Sequence, residues 1–327
     1  MASGGLRTSR VMAELVDGDR IVGESSFQHE LKRYIARVAP TDANVLITGE
    51  TGTGKELVAS LLHANSRRRE QPFVCINCAA IPEELLESEL FGYERGAFTG
   101  ARMLKEGKLK AADRGTVFLD EVGDMSLSGQ AKILRAIENR RVERLGSSGS
   151  VGLNVRVISA TNQNLEESVS EGRFRKDLYF RLNVARIQLA PLREHKEDIP
   201  LLLAKFMREF EERCLFDELV LEVEVRKFVE RYDWPGNVRE LRNFAEALCS
   251  TCSVQRVSCA DLPEPFRTIS YDGGSPRGEH DERILLLTAL AATNWNMAKA
   301  AKSLGWSRMT VYRKLEKYHL KRPWRVN

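Results

Sequence analysis

Along the first part of the chain, short apolar runs rich in β-branched residues alternate with stretches of helical spacing. Asn44–Thr48 (NVLIT), Phe73–Asn77 (FVCIN), Thr116–Leu119 (TVFL), Val155–Ala160 (VRVISA) and Val184–Leu189 (VARIQL) each end in a turn or helix signal. Runs of this kind separated by helices predict an α/β fold, a parallel sheet with helices on both faces. After Pro191 the period changes. Asp198–Cys214, Glu222–Tyr232 and Asn237–Cys249 all carry helical spacing with no strand among them, which predicts a smaller all-helical subdomain. TISYDGGSPRGEHD, residues 268–281, is rich in Gly, Ser and charge and reads as a linker.

The last segment has its own pattern. Met297, Ala300, Ala301 and Leu304 fall on one apolar helical face, with Asn296 as a cap. Gly305 breaks that helix and Ser307 caps the next, in which Val311, Leu315 and Tyr318 share a face. Met309, Thr310, Arg313 and Lys317 point away from it. Two short helices joined at a glycine, the second basic on its outer face, predict a helix-turn-helix, with Glu282–Ala292 packed behind. The expected organisation is a disordered lead-in over 1–20, an α/β unit over 21–190, a helical unit over 191–265, a linker over 266–281 and a DNA-binding unit over 282–327.

Charge supports the last assignment. The net charge of the 327 residues is only +4. From Asp281 to Asn327, however, ten Lys and Arg stand against three Asp and Glu, so the rest of the chain is net acidic. Ser307, Arg308, Met309, Thr310, Tyr312, Arg313, Lys314 and Lys317 are the candidate contacts to double-stranded DNA. Apolar residues are 43% and charged residues 29%, a globular balance. No apolar run approaches the ~18 residues of a membrane span, and no apolar block follows the first arginine as in a secretory signal, so a cytoplasmic protein is expected. Cys75/Cys78 and Cys249/Cys252 have CxxC spacing, but the first pair reads as a buried strand entering a turn and the second as a helix end, with no His at finger spacing. Neither is expected to bind metal.

Chemistry concentrates after the apolar runs. GETGTGKE, comprising Gly49, Glu50, Thr51, Gly52, Thr53, Gly54, Lys55 and Glu56, has the spacing of a P-loop. Its glycines let backbone N–H groups wrap phosphates, Lys55 adds a cation, and a helix N-terminus follows. Glu56 stands where a Ser or Thr usually meets Mg²⁺, so other groups must hold the metal. GTVFLDE places Asp120 and Glu121 at a strand end, Asp120 as the Mg²⁺ ligand and Glu121 to orient or deprotonate water. ATN offers Thr161 and Asn162 after the fourth run. GRFRKDLYFRLN offers Arg175 and Arg181, and WPGNVREL carries Arg239. One stretch fits no core pattern: ERGAFTGARML has a lone Phe98 between Gly96 and Gly100, each Gly costing about 1 kcal/mol in a helix.

GETGTGKE, ELFGYERGAFTGA, GTVFLDE, FRKDLYFRLNV and WPGNVREL, in this order, resemble the AAA+ domain of bacterial enhancer-binding proteins, which activate RNA polymerase carrying sigma-54. The resemblance spans about Ile21 to Pro263, and the end of the chain is similar to their Fis-type helix-turn-helix. It implies that Lys55 binds ATP phosphates, Asp120 holds Mg²⁺ and Glu121 primes water. It further implies that Asn77 is a switch residue holding Glu121, that Thr161 and Asn162 form sensor I, that Arg175 and Arg181 act on a neighbouring subunit, and that Arg239 is sensor II. Gly96, Ala97, Phe98, Thr99, Gly100 and Ala101 would contact sigma-54, with Phe98 and Thr99 at the raised tip. The implied assembly is a ring, commonly a hexamer, built from dimers that bind DNA. Only about 20 residues precede the core, so an N-terminal regulatory domain is expected to be absent and control to come from a partner in trans. Against another AAA+ motor stands GAFTGA; against a repressor that only senses ATP stands the intact hydrolytic set.

Overall fold

The computed structural model describes residues 15–320, except 17, 82, 99–100, 102, 148, 215–218, 252–254, 265, 272–282, 284–285, 291–292, 294, 305–307 and 319. Up to Gln188 the strands in chain order are β1 (Val45–Thr48), β2 (Phe73–Asn77), β3 (Gly92–Tyr93), β4 (Lys105–Glu106), β5 (Thr116–Asp120), β6 (Arg141–Glu143), β7 (Ser150–Gly152), β8 (Arg156–Thr161) and β9 (Ala185–Gln188). The five runs expected from the sequence form one sheet in the order β2-β5-β8-β1-β9, and every pairing is parallel. The pairs β3–β4 and β6–β7 are short antiparallel hairpins outside it.

The sheet is covered on both faces, which is why its strands read as continuous apolar runs. Leu46, Val117, Leu119 and Val157 point into one core, with Leu86, Leu90, Ile133 and Leu178. Val45, Ile47, Phe118, Ile158 and Ala160 point into the other, with Leu31, Ile35, Val58 and Leu62. Alternate residues of each strand thus serve opposite cores. The helix Ser26–Val38 is capped by Ser25, whose hydroxyl accepts from the Gln28 amide. At its far end a buried arginine does the capping. Arg156 is 1% exposed in β8, and its guanidinium donates to the carbonyls of Val38, Ala39 and Ala43 at 2.8–3.3 Å. Burial lowers its pKa to about 10, which leaves it cationic at neutral pH and suited to a helix C-terminus.

Residues Met1–Leu203 and Asp233–Arg242 make one compact unit; Ala204–Tyr232 and Asn243–Asn327 make a second. The second contains the helix Val223–Arg231 and most of Asn237–Thr251. It also contains what the helical reading omitted, a parallel pairing of Val220–Leu221 with Arg256–Val257. Two residues per strand are too few to register as a period. The expected linker begins too early, because Phe266–Tyr271 is helical. Phe266 packs edge-on against Phe228, Tyr232 and Phe244 at 4.9–6.4 Å, and that aromatic burial orders the segment. The remainder of the linker lies outside the described residues. So does most of the lead-in, although the Val16 amide is tied to the Asn65 side chain at 2.7 Å. In the last segment Leu286, Leu290, Ala300, Ala301 and Val311 form a small core flanked by Met297, Leu304, Leu315 and Tyr318. Asn296 caps Met297–Ser303 by accepting from Ala298 and Lys299. Gly305, the cap Ser307 and parts of the helix over 282–292 lie outside the described residues.

Arg156→Leu is expected to cost about 2–4 kcal/mol, because two buried carbonyls and one part-buried carbonyl lose their donors. Urea unfolding reads this out; a loss below ~1 kcal/mol would mean that water replaces the guanidinium.

Candidate nucleotide site and neighbouring loops

Because all five strands run the same way, their C-terminal ends share one edge. Register then decides which ends meet. Thr48 pairs with Thr161 and Asn77 with Asp120, so the P-loop, the acidic pair and Asn162 converge on the crevice beside β1, where the chain direction of the connections switches. Lys55 opens the helix Lys55–Ala64 behind Gly54, which sits at φ 98°. The buried Lys55 ammonium donates to the carbonyls of Gly49 and Glu50 at 3.0 and 3.4 Å and lies 3.2 Å from Glu121 Oε1. The other oxygen of Glu121 accepts from the Asn162 amide at 3.0 Å. The Asn162 side chain donates to Thr51 Oγ1 at 3.0 Å, closing a loop of contacts around the site. Glu121 holds this place from a left-handed backbone, φ 51° and ψ 51°, a conformation that costs a non-glycine residue on the order of 1–3 kcal/mol.

Asp120 is half-buried beside it, and burial raises its carboxyl above the usual range. Asn77 donates to Asp120 at 3.1 Å and accepts from the Ala79 and Ala80 amides. The expected hold on Glu121 is therefore absent here. In the register Asn77 lies opposite Asp120, one residue short of the glutamate. Thr161 is buried and accepts from Gln163. Glu56 is exposed. Cys75, expected in the core, is exposed because β2 is the sheet edge; Cys78 is buried and its thiol is pushed up to about 12.

The stretch Gly96–Ala101 follows the β3 end of the β3–β4 hairpin. Gly96 is at φ 84°, its amide donates to the Ala101 carbonyl, and the Ala101 amide donates to Phe98. Phe98 is 44% exposed and touches Tyr93 edge-on at 4.9 Å, so it is not a core residue. Ala97 packs on Gly146, where an added Cβ would come within 2.7 Å, and Arg144 pairs with Glu94 at 2.8 Å. The β6–β7 turn thus braces the loop. Thr99 and Gly100 lie outside the described residues.

Residues 21–188 match the sigma-54 interaction domain, 193–277 the AAA+ ATPase lid domain and 280–318 the Fis family of bacterial regulatory proteins. The chain belongs to the sigma-54-dependent transcriptional regulators. It is 46% identical to the transcriptional regulatory protein ZraR of Salmonella typhimurium over 302 residues, 91% of this chain and 68% of that protein. It is 42% identical to the DNA-binding transcriptional regulator NtrC of Escherichia coli, over 90% of this chain and 69% of that protein. The structure of NtrX from Brucella abortus in complex with ATP superposes with a TM-score of 0.71 at 35% identity, covering 91% of this chain and 69% of that one.

In this regulator the helix Arg308–Lys317 follows Met297–Ser303 as the helix-turn-helix requires. Tyr312 is 55% exposed and Arg313 and Lys317 are exposed, while Thr310 and Lys314 are half-covered. Ser307 is outside the described residues, and Arg308 and Met309 open the helix. Arg175 and Arg181 are not brought to the P-loop. Arg175 pairs with Asp177 at 2.7 Å, the exposed Arg181 makes no ion pair among the described residues, and both flank the exposed Phe180. Arg239 donates its backbone amide to Gly52 at 3.2 Å while its side chain is exposed. Two residues near the P-loop escaped the sequence reading. Asn237 is fully buried and donates to Glu50 Oε2 and to the Thr51 carbonyl. Arg193 grips both Glu50 oxygens at 2.6 and 2.8 Å. The GN of WPGNVREL was the available signal for Asn237; nothing in the sequence pointed to Arg193. No helix among the described residues is long and apolar enough to cross a membrane.

The raised Asp120 carboxyl sets a sign for stability. Its folded pKa lies above the unfolded value, so ionisation opposes folding above the ordinary carboxylate range and ceases to do so as pH falls below it. Asp120→Asn should therefore raise the thermal midpoint at neutral pH, with the gain vanishing in acid. Calorimetry across pH checks this; a lowered midpoint at neutral pH would contradict it.

Proposed function

We propose that this regulator is an ATP-hydrolysing activator that binds upstream double-stranded DNA and remodels the closed complex of RNA polymerase and sigma-54 to the open complex. The observation that supports hydrolysis best is the Lys55–Glu121–Asn162–Thr51 chain of contacts, which joins the phosphate-binding lysine to a carboxylate poised for water. The ATP-binding set is Gly49–Glu56 with Asp120, Glu121, Thr161, Asn162 and Arg239. A phosphate arriving at Lys55 competes with Glu121 for the ammonium. Glu121 is then available to take a proton from water as its oxygen attacks the γ-phosphorus and the bond to the β-phosphate oxygen breaks. Asp120 fits a divalent cation: it is half-buried, its charge is disfavoured by burial, and Asn77 orients it. Bound Mg²⁺ would supply charge neutralisation for the phosphates. Arg175 and Arg181, exposed beside Phe180, are in our reading supplied to the site of a neighbouring copy in a ring, commonly a hexamer.

In the same reading Gly96–Ala101 contact sigma-54, with Phe98 and Thr99 at the tip. An aromatic that is half-exposed and loosely held against Tyr93 can leave its place at small cost. The residues Ser307–Thr310, Tyr312, Arg313, Lys314 and Lys317 would meet DNA. The functional segments are 21–190 for the ATPase core, 191–265 for its lid and 282–327 for DNA.

Lys55→Ala is expected to lose ATP binding, whereas Glu121→Gln keeps binding and loses turnover by roughly 10²–10⁴-fold. Filter binding with a steady-state phosphate assay separates the two; turnover by Glu121→Gln near the unchanged rate rules out the assigned base. Phe98→Ala and Thr99→Ala should retain ATPase activity and DNA binding but give no open complex with sigma-54 polymerase. Open complexes at the unchanged level would remove the loop from the mechanism.

A further inference from the structure

The second residue of the P-loop presents an electrostatic difficulty. Glu50 carries a negative charge in a loop whose purpose is to gather phosphates. Its own carbonyl accepts from Lys55 and from Thr53, so its backbone belongs to the site. Its carboxylate is taken up elsewhere. Arg193 donates to Oε1 at 2.6 Å and to Oε2 at 2.8 Å, the planar two-point geometry that suits a guanidinium and a carboxylate. Asn237 adds a third donor to Oε2 at 3.2 Å.

Asn237 is built for the purpose. It is fully buried, sits at φ 53° and has both polar side-chain atoms engaged. Its Nδ2 also donates to the Thr51 carbonyl at 3.1 Å, and its Oδ1 accepts from the Leu192 amide at 2.8 Å. The same side chain therefore ties together the P-loop, the segment carrying Arg193 and the Trp234–Asn237 turn. Trp234, also left-handed at φ 48°, is completely buried and anchors that turn. The turn and the P-loop are in such close approach that a Cβ on Gly52 would lie 2.2 Å from the Gly236 carbonyl.

We propose that Arg193 and Asn237 are positioning residues for nucleotide binding, which neutralise the Glu50 carboxylate and hold it off the incoming phosphates. They need touch no phosphate themselves. The idea rests on the P-loop's binding nucleotide, and it makes a prediction that simple bracing of the loop does not. Removing the cation leaves an unpaired negative charge beside the site; removing that charge as well should undo much of the damage. Likewise Asn237→Asp, almost the same shape, places a second carboxylate against Glu50 and should be worse than Asn237→Ala. If Asn237 only filled space, the isosteric change would be the milder one.

The test is titration of the full-length chain with a fluorescent ADP analogue and Mg²⁺, with circular dichroism confirming equal folding. Arg193→Ala should weaken binding by about tenfold, and adding Glu50→Gln should recover about fivefold or more of it, the non-additivity expected of directly coupled charges. Asn237→Asp should bind more weakly than Asn237→Ala, and Glu50→Gln should relieve it too. The inference is overturned if Arg193→Ala binds like the unchanged chain, or if Glu50→Gln rescues neither variant. If either variant fails to fold, the remaining pair decides by the same criterion. Failure of the unchanged chain to bind the analogue would overturn the nucleotide reading itself and this inference with it, whereas binding that is insensitive to Arg193 and Asn237 overturns this inference alone.

Discussion

Everything at the nucleotide site depends on five strands pointing the same way. In a parallel sheet each strand delivers its C-terminal residue to a common edge, and the inter-strand register fixes which residues become neighbours. The pairing Thr48–Thr161 brings loops more than a hundred residues apart in sequence within hydrogen-bond distance, and Asn77–Asp120 joins residues 43 apart. Shifting β8 by one residue against β1 would send the residues of each core to the other and carry Asn162 away from Thr51. The continuous burial of β8, which takes in the polar Arg156, Ser159 and Thr161, is what forbids the shift.

The site assembled at that edge is crowded with charge and carries strain. Glu121 and, behind the P-loop, Trp234 and Asn237 all occupy left-handed backbone that non-glycine residues avoid. Each is held there by specific partners: Lys55 and the Asn162 amide for Glu121, complete burial for Trp234, four polar contacts for Asn237. Each carboxylate at the edge has a donor of its own. Glu121 faces Lys55, Asp120 faces Asn77, and Glu50 faces Arg193 and Asn237. The Asn77 arrangement differs from the one implied by the family resemblance, and the difference follows from the register rather than from any change of residue.

The loop carrying Phe98 is organised on a different principle. Among its described residues, backbone bonds link Gly96 with Ala101 and Ala101 with Phe98, Phe98 meets Tyr93 edge-on, and Ala97 packs on the neighbouring turn at Gly146.

Alternating apolar runs were enough to determine the α/β class, the five strands to within a residue or two and the helix-turn-helix faces, because burial imposes a local pattern. The odd glycine-bracketed Phe98 was legible for the same reason, as a failure of that pattern. What the tertiary structure alone decided are the relations that no local period encodes. Arg156 reads as a blemish in an apolar strand until the carbonyls of Val38, Ala39 and Ala43 are seen around it. Phe266 reads as linker until three aromatic rings close on it. Cys75 reads as core until β2 is placed at the edge. Arg193 and Asn237 reach Glu50 across 143 and 187 positions of chain. A side chain's partner at such separation is set by strand order and register, and those are settled only when the whole sheet forms.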